Sequence, residues 1–394
     1  MSVISEIRVL DVHRSSTLVE IEADDGTVGI GLTQSAPAVI RPIIEYGPGA
    51  LRTHLLGRDP LDTEGLWQAM WQGWPGQYGR GSEGGLAANA MGALDIALWD
   101  LAGKLRGEPV WQLLGGRVQD RVMAYASGSM FVSSSYEGGG EGPWLQKSPE
   151  ALRREAAREV ALGFRAMKFG WGTHFEAEDG ERLRAIREGA GPKTRIMVDV
   201  GCCPGYWTPG WDSDAAIRAG RMLEEVDAFF MEEPMPPHDV EGHARVRAGT
   251  RTRVATGESL TAVHEFERFI EREAVTIVQP DAGQMGITQA AAVARAADAA
   301  GLLCAPHSPW SAVLVAAHLA IQATIRGGVL VEYPALATYD EGSRAGAISQ
   351  LMNFELVDHP PLTVDGYLVP SDRPGLGLGG FVPATLERLR ALAG

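Results

Sequence analysis

The sequence predicts an α/β protein in which a closed parallel barrel is joined to a smaller unit of strands and helices. Three observations point there. From about residue 121 short apolar runs alternate with amphipathic helical stretches, and eight such runs can be counted, the rhythm of a (β/α) barrel rather than of an open sheet. Asp199, Glu232, Glu258, Asp281, His307 and Glu332 stand at the ends of six of these runs, 23 to 33 residues apart. Parallel strands covered on both faces should be apolar throughout, so charge repeated at their carboxyl ends marks a shared site. The first 60 residues differ: apolar and polar positions alternate there, as in half-buried antiparallel strands.

Taken in order, ISEIRVLDV, STLVEIEADDG and TVGIGLTQS read as three strands, with Asp25 and Gly26 as a turn. A sheet of this size needs a cover for its apolar face. LDTEGLWQAMW and the long Ala/Leu-rich GGLAANAMGALDIALWDLAGKLRG supply helices for it, the second stopping at Gly107, Glu108 and Pro109. RVMAYAS opens the barrel. SPEALRREAAREVALGF begins with a Ser148 cap and a proline, carries Glu150 in its first turn and stops at Gly163. RAMKFG, RIMVDV, AFFMEE, VATG, VTIVQPD, LLCAPH and GVLVEY are the strands that follow, each separated from the next by a helical stretch. SSSYEGGGEGPW (133–144) and GCCPGYWTPGW (201–211) interrupt the rhythm as Gly/Pro-rich loops, the second placed to face a substrate just after Asp199. After residue 355 short strands and turns return, and such a tail is expected to add strands to the first unit. The division is therefore 1–120, 121–354 and 355–394.

Composition narrows the function. A formal charge of −15 with no block of Lys or Arg argues against a phosphate-backbone binder, and part of that acidity is available to a bound cation. Three cysteines, two of them adjacent at Cys202 and Cys203, make neither a disulfide framework nor a thiolate metal site. No basic-then-apolar leader opens the chain, and no apolar segment approaches the roughly 20 residues of a membrane span. A soluble cytoplasmic protein is expected, without nucleic-acid or membrane partners. The glycine-rich tail lacks the strand, tight turn and helix of a dinucleotide site. GQMGI after Asp281 suits either a phosphate at a helix start or simple loop geometry.

The rim residues carry the chemistry. Asp199, Glu232 and Glu258, from three neighbouring strands, offer hard oxygen ligands that suit Mg²⁺, with Mn²⁺ as the second choice. Without a cation their mutual repulsion would raise at least one pKa. Asp281 and His307 follow on the next two strands: the imidazole can take and return a proton, and the carboxylate orients it. Glu332 is placed to donate to a developing oxyanion if kept protonated, or to hold substrate hydroxyls. Lys168, on the second strand, would neutralise a substrate carboxylate or move a proton. His174, Trp71, Trp74 and Tyr78 are candidates for contacting substrate, with TQSAPA (33–38) as a closing segment, and packing is an equal reading for the aromatics. His238 and His243 carry no assigned role.

In ALDIALWDLAGKLRG, GFRAMKFG, IMVDV, FFMEEPMPPHDVEGH, ATGES, QPDAGQMGI, APHSPW and VEYP, spread over nearly the whole chain, the sequence resembles the mandelate racemase subgroup of the enolase superfamily. The resemblance implies a modified TIM barrel, (β/α)₇β, with an α+β capping domain built from both chain ends. It implies magnesium on Asp199, Glu232 and Glu258, a His307–Asp281 dyad and an electrophilic Glu332. It also implies a small hydroxylated carboxylate as substrate and a symmetric homo-oligomer. One position departs from the pattern. Where relatives commonly carry Lys-x-Lys, this chain reads Lys168-Phe169-Gly170, so the base expected on the face opposite the histidine is missing. That shifts the expectation from a two-base racemase to an acid-sugar dehydratase in which His307 serves both proton abstraction and departure of the β-hydroxyl, a syn elimination giving a 2-keto-3-deoxy acid. A racemase, epimerase or cycloisomerase and a noncatalytic carboxylate-binding protein are the alternatives.

Overall fold

Three antiparallel strands open the chain in a computed structural model that describes residues 2–47, 49–77, 84–130, 145–170, 177–201, 211–308 and 310–393. β1 (Ile4–His13), β2 (Ser16–Ala23) and β3 (Val28–Thr33) form a meander, in register from Glu6 opposite Glu22 to Glu22 opposite Val28. The turn between β2 and β3 forms where Asp25 accepts the Thr27 N–H at 2.9 Å and Gly26 takes φ 86°. Ile7, Val19 and Ile21 point inward onto Ala90, Leu94 and Leu98 of the helix Gly85–Arg106. β3 lies so close to this helix that a Cβ at Gly31 would sit 2.0 Å from the Ala93 carbonyl oxygen, which accounts for the glycine. The helix ends at Gly107 in the left-handed region, φ 70°.

Eight parallel strands follow: β4 (Val122–Ser129), β5 (Ala166–Gly170), β6 (Arg195–Asp199), β7 (Ala228–Glu232), β8 (Arg253–Thr256), β9 (Ile277–Val278), β10 (Leu303–Cys304) and β11 (Leu330–Pro334). Consecutive strands pair from β4 to β10, and β11 returns to β4 with Glu332 opposite Tyr125. The ring closes at a single parallel bridge, Cys304 to Gly328, just before β11. Each of the seven connections carries a helix, from Pro149–Ala161 to Ala312–Gln322. The predicted (β/α)₇β barrel is therefore the fold, with the small N-terminal sheet separate from it. The Ser148 cap is as expected, its Oγ accepting the Ala151 N–H at 3.2 Å.

The tail departs from expectation. Among the described residues its one strand, β12 (Tyr367–Leu368), joins the barrel strand β4 in antiparallel fashion instead of extending the first sheet. Loops and a helix make the ties to the N-terminal unit. The Leu376 N–H donates to the buried Asp100 carboxylate at 2.8 Å, and Lys104 Nζ donates to the Gly379 carbonyl at 2.7 Å. The final helix, Pro383–Ala393, reaches β1 through Arg390, which donates to the Asp11 carbonyl at 3.2 Å. Turn residues such as Gly375 and Gly377, with φ of 69° and 78°, keep this segment from running as extended ladder. No helix among the described residues is long and apolar enough to cross a membrane.

Candidate active site

The barrel is plugged by one inward side chain from each strand or its immediate extension: Tyr125, Ala166, Met197, Phe230, Ala255, Ile277, Ala305 and Leu330. Side chains alternate along a strand, so the residue two places further faces the same way, one layer nearer the carboxyl ends. Counting two onward yields Ser127, Lys168, Asp199, Glu232, Gly257, Gln279, His307 and Glu332. Five of the residues singled out from sequence thus stand in one layer above an apolar floor. Glu258 lies one residue further, reached through Gly257 at φ 139°, where a Cβ would fall 2.5 Å from the Phe266 ring.

Asp199, Glu232 and Glu258 each bring a carboxylate oxygen within 4.8 Å of the other two. Burial and the Glu232 charge push the Asp199 carboxyl well above its usual range. Burial, with Glu232 and Glu332, also raises Glu258 against the pull of His307 and Lys168. A buried set of three oxygen donors that repel one another fits a hard divalent cation, since such an ion supplies the missing charge.

Lys168 Nζ sits between two buried carboxylates, 2.8 and 3.0 Å from the Glu232 oxygens and 2.8 Å from Glu332 Oε1, with the Tyr125 ring 5.8 Å away. Burial works against its charge, but Glu232 and Glu332 prevail and the ammonium is held well above its usual range. Glu332 is also bound by the Ser127 hydroxyl at 2.6 Å and by the Ser308 N–H at 2.8 Å. Burial alone would raise its carboxyl, yet Lys168 and His307 hold it down to about 2. The sequence left open a protonated Glu332 that donates to an oxyanion. Here Glu332 accepts from Lys168, the Ser127 hydroxyl and the Ser308 N–H, an environment that favours its carboxylate form.

His307 Nδ1 lies 3.0 Å from Asp281 Oδ2, while Nε2 faces Glu258 Oε2 at 3.4 Å. Burial lowers the imidazole pKa, but Glu258, Asp281 and Glu332 overcome it and raise it well above the ordinary value. Asp281 has a second task as the cap of the helix Ala282–Ala299, its Oδ1 accepting the Gly283 N–H at 2.7 Å. Behind it His318 Nε2 accepts the Ala282 N–H at 2.9 Å, and burial lowers that ring's pKa to about 4, so it stays neutral.

The structure brings Lys168, Asp199, Glu232, Glu258, Asp281, His307 and Glu332 together, and the substrate-contact candidates fare differently. Trp71 stacks on the buried Trp67 with centroids 6.1 Å apart and packs into the N-terminal core, the packing alternative for that ring. His174, Tyr78, residues 133–144 and 202–210 and the Trp74 side chain lie outside the described residues. His238 is exposed. His243 is buried with Nδ1 2.9 Å from the Asp239 carbonyl, next to the Asp239 cap of its own helix. The sequence placed Gln34 only within the closing segment 33–38 and gave Glu233, Gln279, Ser308 and His318 no individual role. Glu233 and Gln279 are buried, and their side-chain polar atoms find no hydrogen-bond partner among the described residues. Signals existed for two of them: His318 is the one titratable residue in an otherwise almost wholly apolar helix, and Glu233 doubles the acid at a strand end.

Comparison with known proteins follows this geometry. Residues 151–379 match the family described as enolase C-terminal domain-like. Residues 8–115 match the mandelate racemase / muconate lactonizing enzyme N-terminal domain. A D-galactarolactone cycloisomerase of Agrobacterium fabrum is 32% identical over 376 residues, 93% of this chain and 89% of that protein. A D-galactonate dehydratase of Ralstonia nicotianae is 29% identical over 397 residues, covering 95% and 91%. A racemase from Streptomyces coelicolor A3(2), solved with bound magnesium, superposes with a TM-score of 0.77 at 28% identity over 99% of both chains.

Proposed function

Because the chain belongs to the mandelate racemase / muconate lactonizing enzyme family of the enolase superfamily, we propose that it is a magnesium-dependent dehydratase of an acid sugar. It would remove the proton α to the carboxylate and expel the β-hydroxyl to give a 2-keto-3-deoxy acid. The observation that carries this reading is the pairing of a three-carboxylate cluster with the His307–Asp281 dyad at the carboxyl ends of the barrel strands, where position 170 is a glycine. Asp199, Glu232 and Glu258 would hold Mg²⁺, or Mn²⁺ in its place. The ion supplies positive charge against which a substrate carboxylate can accept electrons.

The protein's own groups do the rest. With a cation offsetting the Glu258 charge that keeps the imidazole protonated, His307 Nε2 would take the α-proton while Asp281 keeps the ring proton on Nδ1. Lys168, charged and anchored by Glu332, meets the negative charge that develops on the carboxylate. Glu332, ionised, accepts from a substrate hydroxyl. The imidazolium of His307 then returns its proton to the departing β-hydroxyl, so both events occur on one face of the substrate. Among the described residues, a Cβ at Gly170 would meet nothing closer than the Gly128 carbonyl at 3.7 Å and Asp199 at 3.8 Å. The glycine therefore offers no base from that position, and the described residues leave space for a Cβ there.

The cycloisomerase relative favours a second reading, in which the same abstraction opens or closes a lactone or anhydro ring without loss of water. A panel of hexonic and hexaric acids and their lactones, incubated with Mg²⁺-loaded protein, separates the two. Keto acid formation supports the dehydratase, an isomer of unchanged mass supports the cycloisomerase, and ligand binding without turnover refutes both. In this proposal 1–120 and 355–394 form the cap and 121–354 the barrel, the active form is a homo-oligomer, and the enzyme is cytoplasmic.

A further inference from the structure

The Asp281–His307 pair receives a side chain from the other end of the sequence. Gln34, just past β3, extends its amide between two residues of the barrel site. Gln34 Nε2 is 3.5 Å from Asp281 Oδ2, the oxygen that also faces His307 Nδ1 at 3.0 Å, and makes a closer hydrogen bond to Ser308 Oγ. Ser308 is unusual: a non-glycine residue at φ 114°, whose N–H donates to Glu332 Oε2 at 2.8 Å. Such a backbone conformation persists only where its surroundings hold it. One amide therefore touches both the carboxylate that orients the base and the strained residue that fixes Glu332.

Gln34 is not left to swing. The Thr17 hydroxyl donates to the Ser35 carbonyl at 2.6 Å. With the Asn89 amide nitrogen turned to Gln284 Oε1 at 2.7 Å, its oxygen accepts from Ser35 Oγ at 2.7 Å. Gln284 lies on the barrel helix that Asp281 caps. The loop is thus tied to β2, to the N-terminal helix and through it to the barrel, and Gln34 is the arm that reaches the chemistry. Asp281 Oδ1 is already occupied by the Gly283 N–H, so His307 and Gln34 are the two partners that face its Oδ2.

We propose that Gln34 is a positioning residue for the acid–base pair: seated by Ser35, its amide clamps Asp281 and Ser308 and so sets the orientation of His307 and Glu332. The proposal takes His307–Asp281 as the proton-transfer pair of the function given above, but its test needs no turnover. In full-length protein with Mg²⁺ and ¹⁵N-labelled histidine, the His307 Nδ1–H resonance is identified by its loss in His307→Asn. Its exchange with water is then followed in Gln34→Met, which keeps length without an amide, and in Gln34→Ala. Both variants should exchange this proton about fivefold faster than the wild type, the scale of one ordinary hydrogen bond. The wild-type shift and exchange rate preserved in both would overturn the proposal. Failure of the acid panel to yield product would bear on the dehydratase reading alone.

Discussion

Lys168→Met removes the one ammonium that lies between Glu232 and Glu332 and keeps nearly the same volume. The carboxylates it leaves are 0% and 1% exposed, and each has an oxygen 2.8 Å from Nζ. Deleting one partner of a buried ion pair costs about 3–5 kcal/mol, because the remaining charge is stranded without water. For 394 residues an unfolding entropy of about 0.8 kcal/mol/K turns that into a Tm lower by about 4–6 °C. Calorimetry in chelator reads this directly. Saturating Mg²⁺ should shrink the deficit, since a cation on Glu232 replaces part of the lost charge. By linkage the variant should bind Mg²⁺ more tightly than the wild type in titration calorimetry. A variant as stable as wild type in chelator, or a deficit that Mg²⁺ does not change, would refute the assignment of Lys168 as counter-charge to a metal ligand.

Two further predictions concern charge and space. Burial lowers the His243 pKa to about 4, below the unfolded value near 6.5. The unfolded chain therefore binds this proton first, and the stability held by the neutral ring is complete above about pH 6.5 and lost as pH falls toward 4. Against His243→Leu, the wild type should lose about 2 kcal/mol of relative stability between pH 7 and 5, measured by urea unfolding of both; a pH-independent difference would contradict the buried neutral ring. Gly170→Lys should install a base on the second face, since the described residues leave space for its Cβ. Epimer formation at least about tenfold above wild type, followed by NMR, is the expected result, and its absence would show that the opposite face is closed for another reason.

The barrel and most of its site were legible in the sequence because both obey short-range rules. Apolar runs define strands, and an acid at the end of such a run has little structural excuse, so Asp199, Glu232 and Glu258 announced themselves. Other features depend on contacts that no local pattern records. Gln34 acts 247 residues from Asp281, and its neighbours in sequence look like any polar loop. The charge state of Glu332 depends on Lys168 and His307 arriving beside it from other strands. The tail's strand joins β4 and not the N-terminal sheet, a choice the sequence did not show because alternation alone does not encode pairing partners. Glu233 was masked by the neighbouring Glu232, already given a role, and Gln279 by a strand that reads as apolar.

The central claim is that His307 removes a proton α to a carboxylate in a divalent-metal site. Mg²⁺-loaded wild type and His307→Asn are incubated in D₂O with the acid sugar that turns over best, and both keto acid and deuterium at the α-carbon of recovered substrate are measured. The account predicts product in the wild type and a loss of at least about 10³-fold in both readouts in the variant. Turnover or α-exchange at the wild-type rate in His307→Asn would contradict it.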